Sequence, residues 1–216
     1  MAKEMQADDR SVASRNASGE VISKIAAILP ELLGGSADLS GSNCTKWPDI
    51  RPMAKDNPDA NYINYGVREF GMTAIGNGMV LHGGLRPFSG TFLIFMEYAR
   101  NAVRMSALMG ISNILVYTHD SIGQGEDGPT HQPVEQLANL RGTPNMTLWR
   151  PCDTVETVYA WKHAIENNDG PTSLVFSRQG LPTQDRTEEQ FNNISRGAYV
   201  LFETDENPEN ILIATG

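Results

Sequence analysis

An α/β fold built on a doubly wound parallel sheet, with helices on both faces, is the architecture this sequence predicts. Three observations predict it. Short, continuous apolar runs such as residues 114–118 and 173–176 recur along the chain, as strands buried on both faces do. Longer segments with helical apolar spacing lie between them, 92–109 being the strongest. Histidines, acids and glycines gather directly after an apolar run, where loops at the ends of parallel strands carry ligand groups.

The elements follow in order. Residues 1–15 are polar and mixed in charge and read as a loose lead-in. From Ser18, the positions Val21, Ile22, Ile25, Ile28 and Leu29 recur at helical spacing up to Pro30, which stops the helix. Residues 32–38 read as a buried strand running into a loop. Residues 40–60, rich in Pro, Asn, Asp and Ser, read as a long excursion. A strand over 62–65 leads to a helix over 68–82, a strand over 87–91 to the helix over 92–109, and 114–118 is the next strand. A Gly-rich loop covers 120–130, followed by a helix with Thr130 as N-cap and Pro133 in its first turn. Residues 146–149 form a strand. Asp153 and Glu156 have capping-box spacing ahead of a helix to about residue 165, and 173–176 is a further strand. Residues 183–193 are polar, and 198–202 and 211–214 read as two more strands. An α/β layer seldom ends directly after a strand, so the chain is expected to be a piece of a longer protein.

With 216 residues, 40% of them hydrophobic and 20% charged, the chain can bury one domain-sized core. Lys plus Arg total 17 against 26 for Asp plus Glu, a formal charge of −9. That balance opposes phosphate-backbone binding, so no nucleic-acid partner is expected. A few placed Arg or His can still hold a small phosphorylated ligand. No apolar run approaches the roughly 20 residues of a membrane helix, and the N-terminus lacks the pattern of a secretory signal. No membrane partner is expected, and the cytoplasm is the expected setting. Cys44 and Cys152 stand far apart without CxxC spacing, against a disulfide scaffold or a thiolate zinc site.

Four constellations suit chemistry. Glu69 stands at a strand-to-helix junction in the run Tyr65-Gly66-Val67-Arg68-Glu69-Phe70-Gly71. Burial favours the protonated form of a carboxyl, which suits proton transfer; a glutamate here also suits the positive end of a helix dipole. Phe92, Phe95 and Ala99 share one helix face near Phe88 and Tyr98, a pattern that serves either a core or a ligand-stacking platform. Residues 118–131 hold His119, Asp120, Glu126, Asp127 and His131, and packing alone seldom asks for so many such groups together. Gly123, Gly125 and Gly128 satisfy G-x-G-x-x-G. Glu126 and Asp127 would set negative charge beside a pyrophosphate, however, and the motif lies mid-chain, so a dinucleotide site is rejected. A metal held by His119, Asp120, Asp127 and His131 is one reading, but no short ligand spacing favours it over a hydrogen-bonded cluster. Arg178 follows the strand at 173–176, where a planar guanidinium either grips a phosphate or forms a surface ion pair. Arg15 is a weaker candidate of the same kind.

Five motifs, in order, resemble the central, pyrimidine-binding region of transketolase. They are Gly34-Gly35-Ser36-Ala37-Asp38-Leu39, Tyr65-Gly66-Val67-Arg68-Glu69-Phe70-Gly71-Met72, Glu97-Tyr98-Ala99-Arg100-Asn101-Ala102, Tyr117-Thr118-His119-Asp120-Ser121 and Gly125-Glu126-Asp127-Gly128-Pro129-Thr130-His131-Gln132-Pro133. The resemblance runs from about Ser14 to the C-terminus. It implies a thiamine-diphosphate enzyme that moves a two-carbon ketol unit from a ketose phosphate to an aldose phosphate. It further implies subunits of three α/β domains, a homodimer with the cofactor between subunits, and Mg2+ or another divalent metal held with the diphosphate by a different domain. The corresponding division is a lead-in over 1–14, a pyrimidine-binding domain over 15–205 and the start of a third domain over 206–216.

Roles follow from the same resemblance. Glu69 matches the acid that hydrogen-bonds the pyrimidine ring nitrogen and favours the tautomer able to take the thiazolium proton. Phe95 matches the ring stacked on the pyrimidine, Phe92 and Tyr98 line that pocket, and Asp38 lies beside the cofactor. His119, Arg178, Arg15 and Ser42 match the group that binds the sugar phosphate. Asp127 and His131 match contacts to sugar hydroxyls, His131 being counted with Glu69 as catalytic. Nothing resembles the Gly-Asp-Gly…Asn motif for metal and diphosphate, so no metal ligand is assigned. Residues 47–61 depart from the family's pattern, and no matched site residue falls there. Other thiamine-diphosphate enzymes, such as a 2-oxoacid dehydrogenase subunit or a deoxyxylulose-phosphate synthase, share the fold, as would a noncatalytic assembly module. His119 together with Arg178 and Ser42 favours a phosphorylated sugar.

Overall fold

The computed structural model describes residues 1–6, 10–204 and 208–216. Helix α1 (Ala2–Gln6), strand β1 (Val12–Ala13) and helix α2 (Ser14–Ala26) lead to β2 (Leu32–Ser36), the short α3 (Ser40–Asn43) and β3 (Tyr62–Asn64). Next come α4 (Glu69–His82), β4 (Arg86–Phe92), a 3-10 turn (Leu93–Phe95), α5 (Met96–Met109) and β5 (Ile114–Thr118). A second 3-10 turn (Ile122–Gln124) precedes α6 (Gln136–Arg141), β6 (Thr147–Trp149), α7 (Thr154–Glu166), β7 (Thr172–Phe176), β8 (Gly180–Leu181) and α8 (Glu188–Ile194).

Six strands form one sheet in the order β3-β2-β4-β5-β7-β6, every neighbouring pair parallel. Period-two alternation divides their side chains between two cores. Ile114 and Val116 of β5 join Val21 and Ile22 of α2 and Trp161 of α7 on one face. Leu115 and Tyr117 join Met96 and Val103 of α5 and Leu140 of α6 on the other. Phe88 shows how tightly the first core closes: its ring meets Trp161 edge-on at 5.5 Å and Trp47 at 6.2 Å. Burial of such a side chain contributes about 1.5–3 kcal/mol. The doubly wound parallel fold is therefore the one observed. β3 lies to one side of β2 and β4 to the other, so the winding direction reverses between β2 and β4. That reversal opens a crevice at their carboxyl ends.

Several local expectations are corrected. Residues 2–6 are helical because Met5 buries itself in the first core, and α2 starts at Ser14, not Ser18. Phe92 ends a strand and does not begin a helix, so it does not share a helix face with Phe95 and Ala99. Thr130 caps nothing: α6 begins at Gln136, and the Thr130 hydroxyl bonds His131 Nδ1 at 2.8 Å. The capping box at α7 is only half formed. Asp153 accepts the Glu156 N–H at 2.9 Å, but the Glu156 carboxylate takes the Cys152 N–H. The complete box belongs to α8, where Thr187 and Gln190 cap each other and Phe191 and Ile194 are buried. Residues 198–202 and 211–214 are not strands. The side chains of 211–213 are exposed, Leu212 at 97%, whereas Tyr199 and Leu201 are half-buried, Tyr199 against Phe191 and Ile194; no strand among the described residues offers either run backbone partners. The expected domain boundary at 205/206 lies outside the described residues, as do residues 7–9 of the expected lead-in.

Candidate functional site

The predicted site residues converge on the carboxyl edge of the sheet. β2 ends at Ser36 and turns through Asp38, whose φ is +62°. β5 ends at Thr118 and turns through His119, with φ +59°. A non-glycine residue held in the left-handed region costs on the order of 1–3 kcal/mol, so two such turns, at the ends of the strands on either side of β4, mark a place where the backbone is shaped for something other than stability. From β4 the chain passes Phe92 and a 3-10 turn that brings Phe95 forward, while α4 opens directly on Glu69.

The turn after β2, the start of α4 and the 3-10 turn wall a cleft of about 670 Å³ lined by Asp38, Arg68, Glu69, Phe95 and Tyr98, among others. Glu69 is buried, at 6% exposure, and its carboxylate has no hydrogen bond or ion pair with any described residue. Its oxygens are not among the buried atoms left without a partner; they face the opening, which is flanked by aromatic rings.

Phe95 joins this cleft to a second, polar group. Its ring lies 5.9 Å from Phe92 in a stacked arrangement and 5.2 Å from His131 edge-on. Phe92 in turn stacks on His119 at 3.7 Å. His119 Nδ1 meets the Thr118 hydroxyl at 2.9 Å, and its Nε2 lies 3.5 Å from Arg15 Nη1. Burial, reinforced by the Arg15 and Arg178 charges and opposed by Asp127, pushes the imidazole pKa down to about 4, so the ring is neutral near pH 7. The loop after β5 is tied down from inside: the buried Gln124 amide donates to the His131 carbonyl, and Gln132 Nε2 reaches the Gly125 carbonyl at 3.4 Å.

A reciprocal serine clasp brings the two arginines to the same edge. Ser177 N–H donates to Ser14 Oγ at 2.7 Å, and Ser14 N–H donates to Ser177 Oγ at 3.1 Å. Arg15 and Arg178 are thereby the next residues on α2 and after β7. Arg15 Nη1 donates to the Ser42 carbonyl at 2.9 Å, and its Nε is buried without a partner. Arg178 is ion-paired with Glu126, so the surface ion pair considered from sequence is present, with a partner that sequence reasoning did not choose. Asp127 and Ser42 are exposed on the rim. Asp120 is not part of the cluster: its Oδ2 takes two N–H bonds from Arg150, at 2.7 and 3.0 Å. Among the described residues no group of three or more His, Cys, Asp or Glu side chains is placed to hold a metal ion.

Sequence reasoning missed Asn43. It is fully buried between Ser36 and Thr118, bonding both. The one available signal was Gly90 opposite it on β4, where a Cβ would lie 2.8 Å from Thr45 Cγ2 and 3.3 Å from Asn43 Oδ1.

Comparison with known proteins supplies the family. Residues 10–184 match the family described as transketolase, pyrimidine binding domain. The chain is 60% identical over 213 residues to transketolase 1 of Aliivibrio fischeri, an overlap of 99% of this chain and 32% of that protein. A crystal structure of transketolase from Pichia stipitis in complex with sedoheptulose-7-phosphate superposes with a TM-score of 0.88 and 45% identity, over 94% of this chain and 30% of that one. A split-gene transketolase, described as an inactive β4 tetramer, superposes with a TM-score of 0.64 and 29% identity, over 81% of this chain and 54% of that one. The chain thus spans about a third of the length of the curated relative.

Proposed function

Because the chain belongs to the transketolase family, as its pyrimidine-binding domain, we propose that it takes up the aminopyrimidine of thiamine diphosphate in the Glu69 cleft and a phosphorylated sugar beside it. One observation carries this reading: Glu69, only 6% exposed and without a hydrogen-bond partner among the described residues, opens its carboxylate to a cleft walled by Phe95 and Tyr98. A flat heterocycle with a ring nitrogen answers both features, stacking on Phe95 and accepting a hydrogen bond from the carboxyl. When bound, thiamine diphosphate would supply the carbon nucleophile and electron sink for two-carbon ketol transfer. Glu69 holds the proton shared with the ring nitrogen, and Phe92 braces Phe95 from behind. Arg15, Arg178, His119 and Ser42 bind the sugar phosphate, whereas Asp127 and His131 contact hydroxyls, with Asp38 beside the cofactor.

Mg2+ finds no ligand set among the described residues; its ligands and those of the diphosphate would belong to another part of the enzyme. The exposed apolar side chains Val67 and Phe70 of the α4 entry, with Tyr98 and Leu108 of α5, support pairing with a second copy in a homodimer. The cytoplasm is the setting we propose. By itself the chain offers half of a cofactor site. Calorimetric titration with thiamine diphosphate and Mg2+ is expected to give weak binding, on the order of millimolar or about 4 kcal/mol. No ketol transfer is expected until a diphosphate-binding transketolase domain is added. Glu69→Gln is then expected to reduce turnover by about 10²–10⁴-fold. Micromolar binding with turnover by the chain alone would refute the half-site reading, and full activity of Glu69→Gln would refute the role of the carboxyl.

A further inference from the structure

We propose that Asn43 and Thr118 are positioning residues that fix the proton of His119 on Nε2, so that the imidazole and Arg15 together present two N–H donors to one ligand oxygen. The backbone N–H of Leu39 can only donate. It donates to Ser36 Oγ at 3.2 Å. Ser36 Oγ therefore accepts there, and its single proton goes to Asn43 Oδ1 at 3.0 Å. That assigns the Asn43 amide, leaving Nδ2 to donate to Thr118 Oγ1 at 2.8 Å. Thr118 Oγ1 now accepts, and the acceptor available to its own proton is His119 Nδ1 at 2.9 Å. Reversing any link would leave a hydroxyl proton without an acceptor at a site where Ser36, Asn43 and Thr118 are at most 2% exposed. An orphaned buried donor costs about 1–3 kcal/mol. The direction of one backbone amide thus passes through three side chains to an imidazole about 80 residues away.

The consequence lies at the other nitrogen. The ring is neutral, since burial and Arg15 hold its pKa low, and its one proton sits on Nε2. Arg15 Nη1 has two hydrogens. One serves the Ser42 carbonyl at 2.9 Å, and the other faces His119 Nε2 at 3.5 Å. The opposite tautomer would let Nε2 accept from Arg15, but it would orphan the Thr118 proton. An arginine cannot accept, so with this tautomer the approach is not a hydrogen bond. It is a pair of donors confronting each other with no acceptor between them. A phosphate or sugar oxygen is the chemistry that resolves it. Only this last use depends on the functional reading above; the tautomer does not.

The test is 15N NMR of the histidine-labelled chain near neutral pH, without cofactor, with His119 assigned through His119→Gln. The wild-type chain is expected to show Nδ1 unprotonated and Nε2 protonated. Thr118→Ser keeps the hydroxyl and is expected to preserve that pattern. Thr118→Val keeps the shape, removes the donor, and is expected to move the two nitrogen shifts toward each other as tautomers mix. A wild-type proton on Nδ1, which needs no variant to detect, overturns the proposal, as does an unchanged pattern in a folded Thr118→Val chain. Inorganic phosphate serves as the oxyanion probe. It is expected to perturb the Nε2–H signal and to bind Thr118→Val about tenfold more weakly. Equal affinities, or no phosphate response in the wild-type chain, overturn the shared-donor assignment. Neither readout involves thiamine diphosphate, so failure here is separable from failure of the cofactor reading.

Discussion

Acidification has a calculable effect on this fold through His119. The free imidazole titrates near 6.5, and in the folded chain burial and the Arg15 charge lower that to about 4. Asp127, Arg178 and His131 also face the ring, the acid opposing the shift and the two others adding to it. Between the two values the unfolded chain binds more protons than the folded one, so stability is lost as pH falls through this window. At about 1.4 kcal/mol per pH unit the complete displacement corresponds to about 3 kcal/mol, of which about 2 kcal/mol is lost between about pH 7 and about pH 5. The ring is only 3% exposed, so solvent screening removes little of this. Urea unfolding of the wild-type chain and of His119→Gln across that range isolates the contribution, because carboxylates and His163 titrate in both proteins and cancel in the difference. Wild type is expected to lose about 2 kcal/mol more than the variant on going from about pH 7 to about pH 5. Parallel pH profiles would refute the account of a buried, neutral His119.

Other perturbations test other parts of the molecule. Gly90→Ala pushes a Cβ to within 2.8 Å of Thr45 Cγ2 and, because Thr45 is held by Tyr62, is expected to destabilise by about 1–3 kcal/mol in thermal or urea unfolding; an unchanged midpoint would mean that the 40–45 segment yields freely. Asp153→Ala strips the fully buried Arg186 of its 2.6 Å carboxylate partner. It is expected to cost about 3 kcal/mol even though Glu156 and Tyr199 remain, and a loss below about 1 kcal/mol would show that those two suffice. Arg178→Ala, in an assembly with a diphosphate-binding transketolase domain, is expected to raise KM for phosphorylated sugars about tenfold and to spare unphosphorylated ones. Equal losses on both would remove Arg178 from phosphate binding.

The sheet was legible because its central strands are buried on both faces and leave unbroken apolar runs, and because α4, α5 and α7 carry a helical period long enough to read. What escaped depends on contacts between distant parts of the chain. Helix α1 exists because Met5 finds the first core, which no local pattern announces, and α8 is set by a capping box inside a stretch read only as polar. The two terminal apolar runs mislead in the opposite sense, since a strand requires a partner as well as a composition. At the site, Glu69, Phe95, His119 and Arg178 stood out through charge, aromaticity and position after strands. Asn43 and Thr118 did not. Each is an ordinary polar residue until parallel pairing of β2, β4 and β5 puts residues 36, 43 and 118 within hydrogen-bond reach. Glu126 was visible as an acid in a loop, but its pairing with Arg178, 52 residues away, belongs to the fold.

The serine clasp sets when, during folding, the site comes into being. Ser14 and Ser177 are 163 residues apart in sequence, so joining them closes most of the chain into a single loop, an entropic demand that is met only after nearer contacts have formed. Arg15 and Arg178 flank that seam. They therefore reach the same edge only when β7 is paired with β5 and Ser177 with Ser14, and an unfolded chain holds the two cations apart. An oxyanion that needs both arginines consequently binds the folded chain and not the unfolded one, so such a ligand stabilises the whole fold by mass action.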